Sequence, residues 1–192
     1  MIKNICLIFF ISTCALNTSF AQTIEKNPNW FDNFSYVDGY NVAKVNNRIY
    51  CSSKNAIFYY DKNEKTTHKV SKINMLSDVD ISCMKGNPID GTLIIGYKNG
   101  NIDIINKNDE VKNITDFKNK LINYSKEISD IMFYDGKAFL ATSTGILKLD
   151  YNTGNFIETY NLGINGSSYA INALTIDENT STSYAATIEV VY

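Results

Sequence analysis

Apolar residues fall in short runs broken by Asn, Asp, Lys and Gly, without the sustained 3.6-residue spacing of amphipathic helices. Four stretches align without gaps: Tyr50 to Ile57 (YCSSKNAI), Ile94 to Asn101 (IIGYKNGN), Phe139 to Ile146 (FLATSTGI) and Tyr184 to Val191 (YAATIEVV). Their first members lie 44, 45 and 45 residues apart. A fixed period of this size marks a repeat architecture. Within each unit a bulky apolar residue opens a strand of small residues, a polar turn follows, and a second apolar strand runs out. Gly100 and Gly145 stand where a tight hairpin needs a positive φ, which glycine adopts without steric cost. The second strands end in turn-forming residues, Asp61-Lys62-Asn63 and Asp150-Tyr151-Asn152-Thr153-Gly154. Third strands follow at Thr67 to Lys72 and Phe156 to Tyr160. One further strand precedes each new unit, at Val79 to Met84, Ile128 to Tyr134 and Ile171 to Ile176.

Four antiparallel strands in each period is the arithmetic of a β-propeller. The pattern predicts an all-β fold, an incomplete β-propeller of about 3.5 four-stranded blades out of a seven-bladed ring. Strands are expected near residues 49–53, 56–61, 92–97, 101–106, 138–143 and 145–150. Phe117 to Glu127 carries the one plausible helical face, with Phe117, Leu121 and Tyr124 on one side, and reads as a long loop containing a single turn.

Composition narrows the classes. The chain has 192 residues, 44% hydrophobic and 20% charged, with a net charge of -2, which excludes a disordered, collagen-like or polybasic nucleic-acid-binding chain. Arg48 is the single arginine. Lys3, the apolar stretch Ile5 to Leu16 and the small residues Ser19 and Ala21 read as a signal peptide over residues 1–21, cleaved before Gln22. That stretch is too short to span a bilayer comfortably, and Thr13 is too large for the position before a lipidated Cys14. Residues 22–192 are then the N-terminal part of a propeller domain. Cys51 and Cys83 remain after cleavage, both in apolar strand-like runs where a small buried residue is the expected role rather than a disulfide.

Nothing in the motifs points to catalysis, a cofactor or a metal site. His68 is the lone histidine, in the polar strand Thr66-Thr67-His68-Lys69, and reads as a surface edge residue rather than a triad base. Asp78 and Asp80 are close enough to ligate a cation or act as a carboxylate pair, but they fit the turn before a strand and are read as turn acids. Asp103, Asp109 and Glu110 read as solvated strand and turn acids. Tyr50, Tyr59, Tyr60, Phe139 and Tyr184 could stack on sugars, yet their place in the repeat makes them inter-blade core. Gly96, Gly100, Gly145 and Gly154 belong to hairpins and not to a phosphate loop.

The motif Asn74-Met75-Leu76-Ser77-Asp78, continued by Leu93 to Gly100 (LIIGYKNG), resembles the two-component-regulator propeller repeat. Across the mature chain Trp30, Ile49-Tyr50, Phe58 to Lys62, Leu93 to Ile105 (LIIGYKNGNIDII), Phe139 to Asp150 and Tyr160 to Gly166 resemble the N-terminal propeller of the PorZ family. That resemblance implies a non-enzymatic component of the type IX secretion system at the outer membrane, with partners of the PorU, PorV and PorQ type. It implies anionic lipopolysaccharide recognition through a C-terminal region not contained in this sequence. A ligand-sensing periplasmic propeller of a two-component regulator is the alternative. The family pattern calls for a glycine turn after Thr187, whereas the sequence reads Ile188-Glu189-Val190-Val191-Tyr192, so a truncated or frame-shifted reading frame is expected.

Overall fold

The structure, a computed structural model, describes residues 33–163, 165 and 167–187. The expected signal peptide, Trp30 and the residues after Thr187, Val190 among them, lie outside the described residues. Three complete antiparallel sheets follow one another along the chain. Blade 1 holds β1 (Asn41–Val45), β2 (Arg48–Ser52), β3 (Ala56–Asp61) and β4 (Thr66–Ser71). Blade 2 holds β5 (Ile81–Gly86), β6 (Leu93–Tyr97), β7 (Ile102–Ile105) and β8 (Val111–Ile114), with a one-turn helix α1 (Asp116–Asn119) after it. Blade 3 holds β9 (Ile128–Tyr134), β10 (Lys137–Thr142), β11 (Gly145–Asp150) and β12 (Asn155–Tyr160), and a two-stranded half-blade is made by β13 (Ile171–Asp177) and β14 (Thr182–Thr187).

The first strands of successive blades, β1, β5, β9 and β13, pack against one another and form the common inner edge. This radial order of sheets is the propeller that the repeat predicts, with the half-blade completing about 3.5 blades. The sequence repeat opens on the second strand of each blade, so its first members Tyr50, Ile94, Phe139 and Tyr184 sit on β2, β6, β10 and β14. Two strands lacked a legible signal. β1 (NVAKV) is half exposed, with Val42 71% accessible, and β8 (VKNI) buries a single residue fully.

Burial explains the strand patterns. Every residue of β6 and β7 is buried, because blade 2 is covered on both faces. Tyr50, Ile57, Met84, Ile95 and Ile105 fill the seam between blades 1 and 2. Ile94, Ile104, Ile131, Leu147 and Leu149 fill the next seam. Met132, Ile146, Ile171 and Leu174 form the seam toward the half-blade. The stretch from Phe117 to Glu127 is the expected long loop with a single turn, α1. Phe117 is buried, but the chain becomes extended at Lys120 (ψ 130°), leaving Leu121 and Tyr124 exposed.

Turn chemistry recurs at the hairpins. Asp61, Asn106, Asp150 and Asp177 each accept, through Oδ1, the backbone N–H two residues on. Gly100 (φ 82°) and Gly145 (φ 111°) close the β6–β7 and β10–β11 hairpins in the left-handed region. A Cβ on Gly145 would collide with the carbonyl oxygen of Tyr160. Gly145→Ala should therefore cost about 2 kcal/mol or more, combining backbone strain with that clash. Urea unfolding measures it, with a midpoint unchanged from the parent chain as the contrary result.

Candidate functional site

Arg48 is placed by the β1–β2 hairpin at the outer mouth of the first seam. Its Nε donates to Asp61 Oδ2 (3.1 Å) and its Nη1 to Asp109 Oδ1 (2.5 Å) in the β7–β8 turn of the next blade. The guanidinium lies 4.7 Å from the ring centre of Tyr59, which itself stacks on His68 at 4.8 Å. Arg48, Asp61 and Asp109 line a polar cleft of about 200 Å³ together with Asn63 and Lys107. Two cations and two carboxylates balance there, so the cleft carries no net field for a charged ligand. The Arg48 hydrogen bond, with the Asn63 amide, holds the Asp61 carboxyl below its ordinary value.

Asp78 and Asp80 turn to different partners. Asp78 Oδ2 accepts from Lys118 Nζ (2.7 Å), Asn99 Nδ2 (2.7 Å) and Asn101 Nδ2 (3.2 Å). Burial pushes its carboxyl upward, and the hydrogen bonds of Lys118 and Asn99 outweigh that and hold it well below the ordinary 3.8. Asp80, at φ 59°, pairs instead with Lys54 at 3.3 Å.

Asp103 departs from the solvated position expected of it. It is fully buried on β7 and accepts from Ser77 N (2.8 Å), Tyr97 Oη (2.7 Å) and Asn113 Nδ2 (2.8 Å). Burial, followed by the Asp103 charge, raises the Tyr97 phenol above its ordinary value. The motif Asn74 to Asp78 is thereby explained as structure. Asn74 Oδ1 takes the Ser71 amide, Leu76 is buried, and Ser77 and Asp78 anchor the connector to blade 2. A single Asp inside an apolar strand (IDII) is the signal that a buried polar pin was present.

The other candidates are placed as follows. Asp109 pairs with Arg48, and Glu110 Oε2 accepts from Asn106 Nδ2 (2.6 Å). His68 lies on the outer strand β4, half exposed, 2.9 Å from Glu64 Oε2. Cys51 and Cys83 are free thiols, and burial pushes Cys83 up to about 12, so it is protonated and inert at neutral pH. Tyr50 is core and Tyr59 packs beside it, whereas Tyr60 and Tyr184 are exposed rather than inter-blade core. Among the described residues no group of three His, Cys, Asp or Glu could hold a metal ion.

A second opening of about 420 Å³ is apolar. It lies between blade 3 and the half-blade and is lined by Phe139, Ile146, Tyr160, Leu174 and Tyr184, with Lys137 and Lys148 at its rim. Lys148 Nζ is 5.7 Å from the Phe139 ring centre.

With this geometry, a family model described as TSS9, PorZ, N-terminal beta-propeller domain, matches residues 49–190. The chain belongs to the PorZ N-terminal propeller family. Three solved structures share the fold. One is PorZ itself, described as an essential bacterial surface component of the type-IX secretion system of Porphyromonas gingivalis (TM-score 0.63, 20% identity, 73% of this chain and 18% of that one). Another is the extracellular domain of a putative hybrid two component system from B. thetaiotaomicron (TM-score 0.59, 14% identity, 77% of this chain and 19% of that one). The third is the computationally designed Ika4 protein (TM-score 0.56, 13% identity, 82% of this chain and 95% of that one). The chain thus spans under a fifth of the PorZ structure it matches. The comparison with curated proteins finds no match.

Two measurements check the polar pins. Asp103→Ala leaves the Tyr97 hydroxyl and the Ser77 amide without their acceptor, and should destabilise by about 3 kcal/mol in urea unfolding. Asp78, with its depressed pKa, contributes stability that is present above the unfolded value near 3.8 and is lost as pH falls through its lower folded value. Asp78→Asn should therefore lower stability at neutral pH and flatten the decline below pH 3.8, read from unfolding midpoints across an acid titration.

Proposed function

We propose that the chain is a non-enzymatic recognition propeller of the type IX secretion system that helps to attach secreted cargo at the cell surface. The family match over residues 49–190 is the observation that carries the reading. The site chemistry agrees with a protein-binding role. The polar cleft is charge-balanced, the buried acids are held by structural partners, and a second opening is largely apolar, with Lys137, Lys148 and Asp135 among its lining. Partners of the PorU, PorV and PorQ type would dock on blade faces, while anionic lipopolysaccharide would be bound by a region outside these residues. No nucleic-acid role is proposed, since the net charge is -2. Residues 1–21 would direct export, leaving a mature chain that starts at Gln22.

A second reading, a ligand-sensing periplasmic propeller of a two-component regulator, is favoured by the likeness to the B. thetaiotaomicron extracellular domain and by the Asn74 to Asp78 motif. Complementation of a PorZ-deficient strain separates the two. A full-length gene containing these residues should restore surface attachment of cargo, and residues 1–192 alone should not. Rescue by residues 1–192 would assign the activity to these first blades. Failure of the longer gene would reject the secretion reading in favour of sensing.

A further inference from the structure

Three successive blades repeat one asparagine at the same place. Asp61, Asn106 and Asp150 each fix a turn by accepting the backbone N–H two residues on, and that residue is Asn63, Asn108 and Asn152 in turn. Asn63 Oδ1 takes the Asn47 amide (3.1 Å), whereas the side-chain amides of Asn108 and Asn152 make no hydrogen bond among the described residues. These two share a cleft of about 480 Å³ with Asn46, Ile89, Asn106 and Lys107. Four turns build it, β1–β2, β5–β6, β7–β8 and β11–β12, so it runs across the mouths of the two seams that join blades 1, 2 and 3. Ile89 is 93% exposed although its turn is pinned. Its N–H donates to Asn87 Oδ1 (3.0 Å), the Thr92 N–H to Asp90 Oδ1 (2.9 Å), and Tyr151 Oη bonds both Asn87 Nδ2 (3.1 Å) and Asp90 Oδ2 (2.7 Å). Arg48 takes the carboxylates of Asp61 and Asp109, and Lys107 makes no ion pair among the described residues.

We propose that this cleft binds an extended polypeptide segment of a partner, with an acidic residue against Lys107 and an apolar residue against Ile89. A primary amide offers both donors and an acceptor, which match the C=O and N–H groups of an extended main chain. Asn46, Asn108 and Asn152 bring three such amides to one cleft. Ile89 is already held in place, so covering it removes apolar surface from water at little further cost in freedom. One acid suffices on the partner, because Lys107 and Asp90 balance within the cleft and leave no field for a run of like charges. A sugar fits less well. No aromatic residue lines this cleft, and Tyr50 in the adjoining Arg48 cleft is buried, so neither offers a ring face for stacking. The inference rests on the recognition reading and deepens it by stating where the propeller binds and what chemistry it takes. Complementation reads cargo attachment, whereas peptide binding is read directly, so either can fail without the other.

The probe is a fluorescein-labelled peptide of sequence GTVTDVTVG, whose β-branched residues favour the extended form and whose centre carries one acid. Its anisotropy is titrated with the full chain, beside a control peptide, GTVTKVTVG. Saturable binding of the acidic peptide is expected. Asn108→Ala and Asn152→Ala should each weaken it about fivefold, as for one lost hydrogen bond, and Ile89→Ser about tenfold. Lys107→Glu should weaken it about threefold to fivefold and should reverse the preference in favour of the lysine peptide. All four substitutions fall at exposed positions, so the urea midpoint of each variant should equal that of the parent chain. Four results would overturn the proposal. The first is no saturable binding of the acidic peptide, and the second is binding that ignores the Lys107 charge swap. The third is displacement of the peptide by maltohexaose or an alginate hexamer, which would make the cleft a glycan site. The fourth is a dimer in sedimentation that Ile89→Ser dissociates, which would make a second copy the occupant.

Discussion

A blade with apolar residues on both faces is stable only when a neighbour covers each face, and every other feature of this chain follows from that requirement. Blade 2 states the constraint most fully. Its strands β6 and β7 are buried along their whole length, Ile95 and Ile105 against blade 1 and Ile94 and Ile104 against blade 3. Alternation within one strand thus serves two different seams. The inner strands β1, β5, β9 and β13 hold the blades at a common edge, which turns pairwise stacking into an arc.

Polar groups then distinguish one seam from the next. Blades 1 and 2 are joined by Arg48 to Asp109, and by Asp103 to the Ser77 amide. Blades 2 and 3 use Tyr151 Oη to Asp90, and Lys112 Nζ to the carbonyls of Asn152 and Thr153. Blade 3 holds the half-blade through Asp130 Oδ2, which accepts the Leu174 amide, and through Tyr134 Oη to Ser181. Exposed links of this kind contribute about 0 to 1 kcal/mol each, so the apolar seams carry the stability and the links select the pairing. Asp103 differs because it is buried. Its cost is offset only while all three donors are present, which makes it a determinant of how the connector sits on blade 2.

The propeller was legible in the sequence because its signals are local and repeated. Apolar pairs bracket a glycine turn at Gly100 and Gly145, and Asx turns close the second strands at Asp61 and Asp150. β1 and β8 escaped notice because they are short, only partly buried and lie outside the aligned repeat segments. The helical spacing of Phe117, Leu121 and Tyr124 reads as a loop with one turn, and α1 is that turn. Phe117 is drawn into the seam of blades 2 and 3, and nothing covers the other two. Asp103 was read as solvated because sequence alone does not show that the residue across the seam, Ser77, brings it a donor from 26 positions away.

Stacking of this kind needs hydrophobic bulk at the right period and little else, which is why structures at 20% and 14% identity share the fold with this chain. Fold likeness therefore does not separate a secretion component from an extracellular sensing domain, since both would present the same sheets. What differs between propellers is the chemistry left at the mouths of the seams. In this chain the mouth between blades 1 and 2 is closed by Arg48 and its two carboxylates, whereas the mouth beyond blade 3 sets Lys137, paired with Asp150, Lys148 and Asp135 around an apolar wall. Two repeats on, the Arg48–Asp61 pair recurs as Lys137–Asp150 at 3.0 Å, so each of these mouths keeps the cation–carboxylate pair that the repeat places there.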